Sequence, residues 1–223
     1  MQIKEEELVK AGFTKNTSYE LFILAVSLLS LINLVLLFLP FTGQVNEVIF
    51  VIDKITALLF FADFLRRLFS SNNKYHYFFK QYGWTDLLAS IPITSFNIFR
   101  IFRIVRFMRA IRVLGYKKMI QLVKNKPADT ALYAVFLLIL LLLQFGSMGV
   151  LIVESSDPSA NIKTASDALW WVFVSITTVG YGDYFPVSNP GRIIGAFTLT
   201  IGVGLFGVVT GYLANIFLGS RKG

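Results

Sequence analysis

Three stretches of this chain, Leu21–Asn46, Thr130–Val153 and Ile193–Ser220, contain no Asp, Glu, Lys, Arg or His. Each exceeds the roughly 20 residues that carry a helix across a bilayer. Further apolar runs broken by charged joints extend the pattern to six predicted membrane-crossing helices: about Tyr19 to Phe41, Asn46 to Phe69, Tyr82 to Pro92, Ser95 to Leu114, Asp129 to Val153 and Arg192 to Leu218. Pro92 ends the third, because proline removes a backbone donor and restricts the residue before it. Between the last two lies Asp167 to Thr178, apolar but too short to span, followed by a glycine-containing loop. Such a re-entrant segment persists at membrane depth only where protein or water covers its backbone.

The joints set the orientation. Arg66, Arg67, Lys74 and Lys80 follow the second segment, Lys117, Lys118, Lys124 and Lys126 the fourth, and Arg221 and Lys222 the sixth. The opposite joints, 42–45 and 93–97, hold no Lys or Arg, and the one before the re-entrant segment holds only Lys163. Basic residues collect on the cytoplasmic side, so both termini are expected there, in a multi-pass protein of the cell membrane. The opening residues, with Lys4 and Glu5 to Glu7 and no apolar run, do not read as a secretory signal but as a short cytoplasmic segment.

Composition agrees: 55% of the 223 residues are hydrophobic and 15% charged, less charge than a soluble domain of this size carries. The net charge of +8 suggests nucleic acid at first sight, but it divides between one arginine-bearing apolar segment and the basic joints, so no nucleic-acid partner is expected. There is no cysteine, which excludes disulfides and thiolate chemistry. The lone His76, between Tyr75 and Tyr77, has no nucleophile, metal-ligand cluster or phosphate loop to join it, so neither an enzyme nor a cofactor is expected.

In the fourth segment Arg100, Arg103, Arg106, Arg109 and Arg112 recur every third residue with apolar residues between them. Arginine at membrane depth is costly and needs a reason. On an α-helix five positions three apart wind through roughly 240°, too wide for one polar face on a membrane surface; on a 3₁₀ helix they form a file. Either way a helix moving along its axis presents one arginine after another to a fixed partner, as a voltage sensor requires. Candidate partners are Asp53 and Asp63 on the second segment and Asp86 on the third.

The strongest signal is Thr178-Val179-Gly180-Tyr181-Gly182, followed by Asp183. Replacing an ion's hydration shell with backbone carbonyls requires them to point one way, hence alternating backbone conformations that glycine adopts cheaply. The Thr178 hydroxyl adds a further oxygen. This pentapeptide is identified as the filter motif of potassium channels, and Asp129 to Leu218 resembles the pore of voltage-gated potassium channels, of the prokaryotic six-transmembrane type. The run Trp170 to Thr177 is similar to that family's pore helix.

The resemblance implies potassium ions at Thr178, Val179, Gly180 and Tyr181, with Trp170 and Trp171 bracing Asp183 and Tyr181 from behind. Glu154 matches a family position at the end of the fifth helix. Phe60-Phe61-Ala62-Asp63 is similar to the Phe-x-x-acid motif of voltage sensors, and Thr85 to Pro92 resembles their third helix. By that likeness Phe60, Asp63 and Asp86 form an occluded site through which arginines pass, and Asp53 belongs to an outer acidic cluster. Gly202, 21 residues after Tyr181, falls at the family's gating hinge, with close helix packing the competing reading, which Gly207 and Gly211 fit as a pair. The chain departs from animal members in having Val208-Val209-Thr210-Gly211 where they carry a Pro-x-Pro bend, and no N-terminal tetramerisation domain like theirs is expected.

The expected fold is therefore an all-α membrane protein: a cytoplasmic segment (1–18), a four-helix voltage sensor (19–114), a linker helix (115–128) and a two-helix pore domain with a re-entrant helix (129–223). One filter strand per chain implies a homotetramer. The linker's basic and apolar residues suit coupling, and also anchoring to anionic lipid. The expected function is voltage-gated potassium conduction; the alternative is a potassium channel opened by a ligand, or constitutively, with a weakly coupled sensor. A secondary transporter would show broken helices in both halves, and a sensor module serving a catalytic partner would need no filter.

Overall fold

The computed structural model describes residues 17–71, 73–80, 82–91, 102–108 and 127–219. Pro92, Arg100, Arg109, Arg112, the N-terminal residues 1–16 and the stretch 115–126 lie outside the described residues. Among those described, every regular element is helical: α1 (Thr17–Leu36), α2 (Gly43–Ser70), a π turn (His76–Lys80), α3 (Gly83–Ala89), α4 (residues 102–108), α5 (Pro127–Leu141), a second π turn (Leu142–Gly146), α6 (Ser147–Glu154), α7 (Ala165–Ile176) and α8 (Asn189–Gly219).

Three of the expected spans, Ser18–Leu36, Ala131–Glu154 and Asn189–Leu218, are long and apolar enough to cross a membrane. At 28 residues α2 has the length, but it carries Glu47, Asp53, Lys54, Asp63, Arg66 and Arg67. The seven residues of α3 are too few to span. It ends where expected, with the Ser90 and Ile91 N–H groups tightening onto the carbonyls of Leu87 and Leu88 just before Pro92. The N–H groups of Phe38 and Leu39 close α1 in the same way ahead of Pro40.

The chain forms two compact units, one of Met1–Leu39 with Asp53–Thr130, the other of Pro40–Ile52 with Ala131–Gly223. The first is built with its polarity inverted. Glu20, Asp53, Asp63, Arg67, Asp86, Arg103 and Arg106 are buried, while Leu28, Leu58, Phe61, Ile104 and Val105 are exposed. In water that arrangement forfeits the hydrophobic driving force, whereas in hydrocarbon it places these ions among partners and these apolar side chains against lipid. It also bears on why α2 fails a simple apolarity test: Asp53, Asp63 and Arg67 face inward, while Glu47, Lys54 and Arg66 are exposed.

In the second unit α6, α7 and α8 pack on one another around Val150, Ala168, Val172 and Ile176. Gly202 has a packing reason here: a Cβ would stand 2.8 Å from the Ile176 Cα, and α8 runs unbroken through it. Gly207 and Gly211 have nothing within 4 Å of their Cβ positions in this chain. Gly202→Ala should cost about 1–3 kcal/mol by overpacking, read as a lower midpoint of thermal unfolding.

The π turn at Leu142–Gly146 interrupts what the sequence predicts as one regular fifth helix. Its central Gln144 is fully buried, and the Ser147 hydroxyl that follows is buried without a hydrogen bond. A π turn admits one extra residue and shifts the angular phase of everything after it. An apolar run gives no warning of such a shift, because every face is apolar.

Candidate functional site

The loop after α7 is set up by the helix itself. A capping box starts α7: the Asp167 N–H donates to the Thr164 hydroxyl at 3.2 Å, and the Asp167 carboxylate accepts from the Thr164 N–H at 2.9 Å and the Lys163 N–H at 3.1 Å. At the other end the N–H groups of Val179 and Gly180 both donate to the Val174 carbonyl, at 3.0 and 3.1 Å, and turn the chain back. From there the backbone alternates. Thr178, Gly180 and Gly182 have φ of 60°, 56° and 77°, while Val179 and Tyr181 between them are not left-handed. This is the alternation that lets successive carbonyls face one side. Two of the three left-handed positions are glycines; Thr178 bears a strain of about 1–2 kcal/mol.

Behind the loop, Trp170 Nε1 donates to Asp183 Oδ2 at 2.8 Å, and its ring stacks on Tyr181 with centroids 5.8 Å apart and planes 7° from parallel. Trp170 is thus in contact with both Asp183 and Tyr181. Trp171 is buried instead, with its ring 3.6 Å from the Cβ position of Gly195 on α8. Asn161, which the sequence reading passed over, clasps the outer end: its amide donates to the Asp183 carbonyl at 3.1 Å and accepts from the Phe185 N–H at 3.3 Å. The Tyr184 hydroxyl is held above its ordinary range by its hydrogen bond to the Asp167 carboxylate.

Glu154 is fully buried, and its carboxylate accepts from the N–H groups of Val187 and Ser188 at 3.0 and 3.1 Å and from the Ser188 hydroxyl at 2.6 Å. Ser188 in turn accepts the Gly191 N–H on its hydroxyl at 3.1 Å, capping the start of α8. A Cβ at Gly191 would collide with Glu154 Oε1 and come within 2.9 Å of Pro186 Cβ and 3.0 Å of Ser188 Oγ, so only glycine fits this corner. Neither Ser188 nor Gly191 stands out in the sequence.

The first unit gathers the buried charges. Arg103 makes a bidentate pair with Asp53, with Nη2 to Asp53 Oδ2 at 3.2 Å, and donates to Ser30 Oγ at 2.7 Å and the Ile91 carbonyl at 3.0 Å. Arg106 donates from Nη2 to Asp63 Oδ2 at 2.6 Å, and its guanidinium lies 4.3 Å from the centroid of the Phe60 ring. Its Nη1 stands 3.8 Å from Asp86 Oδ1 and makes no hydrogen bond. Phe60, Asp63 and Asp86 therefore do surround one arginine, and Asp53 meets another. Around Arg103 and Arg106 the described residues are α-helical rather than 3₁₀.

Arg67, read in the sequence as a basic residue of the cytoplasmic joint, is instead buried on α2 in this cluster, and Glu20, Tyr19 and Tyr77 join it without having been singled out. Arg67 Nε donates to both oxygens of Asp63 at 3.0 and 2.9 Å, and its Nη2 to Glu20 Oε2 at 2.6 Å. The Tyr19 hydroxyl donates to Asp63 Oδ1 at 3.0 Å, and the Tyr77 hydroxyl to Asp86 Oδ2 at 3.1 Å. Arg67 and Asp63 are i and i+4 on α2, a spacing that could have announced their pairing. Glu20, Tyr19 and Tyr77 come from other elements, and no local pattern marks them.

Residues 16–222 match the family described as Ion transport protein. The chain is similar to a voltage-gated potassium channel of Aeropyrum pernix, 28% identical over 209 residues that cover 87% of this chain and 70% of the relative. A calcium-gated potassium channel of Thermoplasma volcanium is 32% identical over 93 residues, 42% of this chain and 26% of the relative. The potassium voltage-gated channel subfamily A member 2 of Oncorhynchus mykiss is 40% identical over 57 residues, 26% of this chain and 12% of the relative.

Proposed function

This chain belongs to the ion transport protein family, and from that premise we propose that it is one subunit of a voltage-gated, potassium-selective channel. It is a multi-pass membrane protein of an ion channel family, not an enzyme. The observation that carries the potassium reading is the backbone alternation from Thr178 to Gly182. Four such strands around an axis line a pore in which carbonyl dipoles replace water around potassium ions at Thr178, Val179, Gly180 and Tyr181. The pore is then a homotetramer. Asp183, held by Trp170, braces the filter's outer end.

The voltage-sensing part of the proposal rests on the two described arginines. Each sits on a buried carboxylate, Arg103 on Asp53 and Arg106 on Asp63, and the acids lie ten residues apart along α2. Arg100, Arg109 and Arg112 continue the same every-third-residue spacing along the sequence. Moving one charge through 100 mV is worth about 2.3 kcal/mol, so three charges in each of four subunits supply roughly 28 kcal/mol, ample to bias a gate. In this reading 19–114 is the sensor, 115–128 the coupling helix in contact with anionic lipid and 129–223 the pore, with both termini cytoplasmic and Gly202 a candidate hinge.

The test is current through the purified protein in planar bilayers, with potassium on one side and sodium on the other while the voltage is stepped. A reversal potential near the potassium equilibrium value, with opening that rises steeply with voltage, is expected. Selective but voltage-independent current would mean a channel opened by a ligand or constitutively; loss of selectivity would overturn the proposal. Within the same assay Trp170→Phe keeps an aromatic ring beside Tyr181 but removes the donor to Asp183. Sustained current should fall about tenfold or more as the filter loses its support, since a hydrogen bond to a charged group is worth about 1.5–3 kcal/mol.

A further inference from the structure

The connection between α2 and α3 inserts one side chain into the charged interior of the first unit. Tyr77, at 1% exposure, lies in the π turn His76–Lys80 and donates its hydroxyl to Asp86 Oδ2 at 3.1 Å. Its ring is held on one side by Phe64, at 6.4 Å between centroids, and on another by Gly83, where a Cβ would come within 2.7 Å of the ring. Tyr82 supports that close approach with a left-handed φ of 58°, an unusual conformation for a tyrosine and one that starts α3 at Gly83. The backbone thus accepts strain and gives up a side chain to let Tyr77 reach Asp86.

The other side of Asp86 shows what that contact does. Arg106 is held by Asp63 and the Phe60 ring, yet its Nη1 stops 3.8 Å short of Asp86 Oδ1 and is buried without a hydrogen bond. A carboxylate that already accepts from a hydroxyl has less to offer an approaching guanidinium than one that does not. On the reading of Arg106 as a moving charge, we infer that Tyr77 is a positioning residue of the voltage sensor: a fixed, uncharged donor that keeps Asp86 partly satisfied. Arginines then pass the Phe60, Asp63 and Asp86 site without being trapped there. The well is made shallow by a competitor that carries no charge and does not move with the field.

Tyr77→Phe removes only the hydroxyl and keeps the ring packed on Phe64 and Gly83. Activation and deactivation, measured as current relaxations in planar bilayers, should both slow roughly tenfold, equivalent to about 1.4 kcal/mol on the barrier. In an Asp86→Asn background the same change should have little effect, because the carboxylate it frees is gone. Gly83→Ala, which displaces the ring, should slow the channel as Tyr77→Phe does, and Tyr75→Phe, at a position 71% exposed, should leave the rates alone. Unchanged kinetics in Tyr77→Phe, or equal slowing with and without Asp86, would overturn the inference. Arg106→Gln separates the levels: if it leaves voltage dependence intact, the sensor reading falls and takes this inference with it. If it reduces voltage dependence while Tyr77→Phe is silent, only the role of Tyr77 is lost.

Discussion

Gly180→Ala is expected to abolish potassium-selective current while leaving the protein in the membrane. Gly180 has φ of 56° in the middle of the alternation, with open space around its Cβ position, so the obstacle is conformational and not steric. An L-residue there costs about 1–2 kcal/mol in each subunit, roughly 4–8 kcal/mol over a ring of four. The strand escapes that cost by flipping the peptide, which turns one carbonyl out of each strand at once. Thr178 already bears the same kind of strain, so the loop has little tolerance left. The check is the reversal potential under opposed potassium and sodium. A full potassium reversal potential with normal conductance in the alanine variant would show that the alternation is not what selects the ion.

Asp63→Asn should be the most damaging single change in the first unit. The carboxylate accepts from Arg67, Arg106 and the Tyr19 hydroxyl while fully buried. Asparagine preserves the volume and one acceptor but removes the charge that two buried guanidinium groups share. Breaking a buried pair by removing one partner costs about 3–5 kcal/mol, because the remaining ion stays desolvated. Arg67 retains Glu20 and Arg106 retains Asp86 at 3.8 Å, which places the expected loss near the lower end, about 3 kcal/mol. Thermal unfolding in detergent reads it directly, with the midpoint falling by several degrees. An unshifted midpoint would mean that water reaches this cluster and solvates it.

Much of this molecule is written along the chain in local terms. The apolar runs place α1, the α5 to α6 span and α8, and the glycine spacing after α7 announces a loop with alternating backbone. Asp53, Asp63 and Asp86 could be named because acids in apolar helices demand cationic partners, and Phe60 only because Phe60 to Asp63 resembles the motif of voltage sensors. What stayed hidden depends on contacts between distant segments. Glu20 is 47 residues from Arg67, Asn161 is 22 from Asp183, and Ser188 is 34 from Glu154. Each looks like an ordinary polar residue at a helix end or in a loop, and only the folded chain supplies its partner. Trp170 and Trp171 show the limit from another side. Adjacent on α7, they point about 100° apart, so one reaches the loop and the other reaches α8.

The fit of Glu154 against Gly191 bears on how this protein can change. The carboxylate, together with Pro186 Cβ and Ser188 Oγ, fills the space that any side chain at position 191 would need, and it satisfies two N–H groups ahead of α8. A residue larger than glycine at 191 is therefore harmful while Glu154 is present, and losing Glu154 alone orphans those donors and opens a hole. The two positions are coupled, but shortening 154 alone does not make room at 191, because Pro186 Cβ at 2.9 Å and Ser188 Oγ at 3.0 Å still crowd a side chain there. Position 191 is thus held to glycine by three neighbours at once, and a substitution there requires this whole corner to repack.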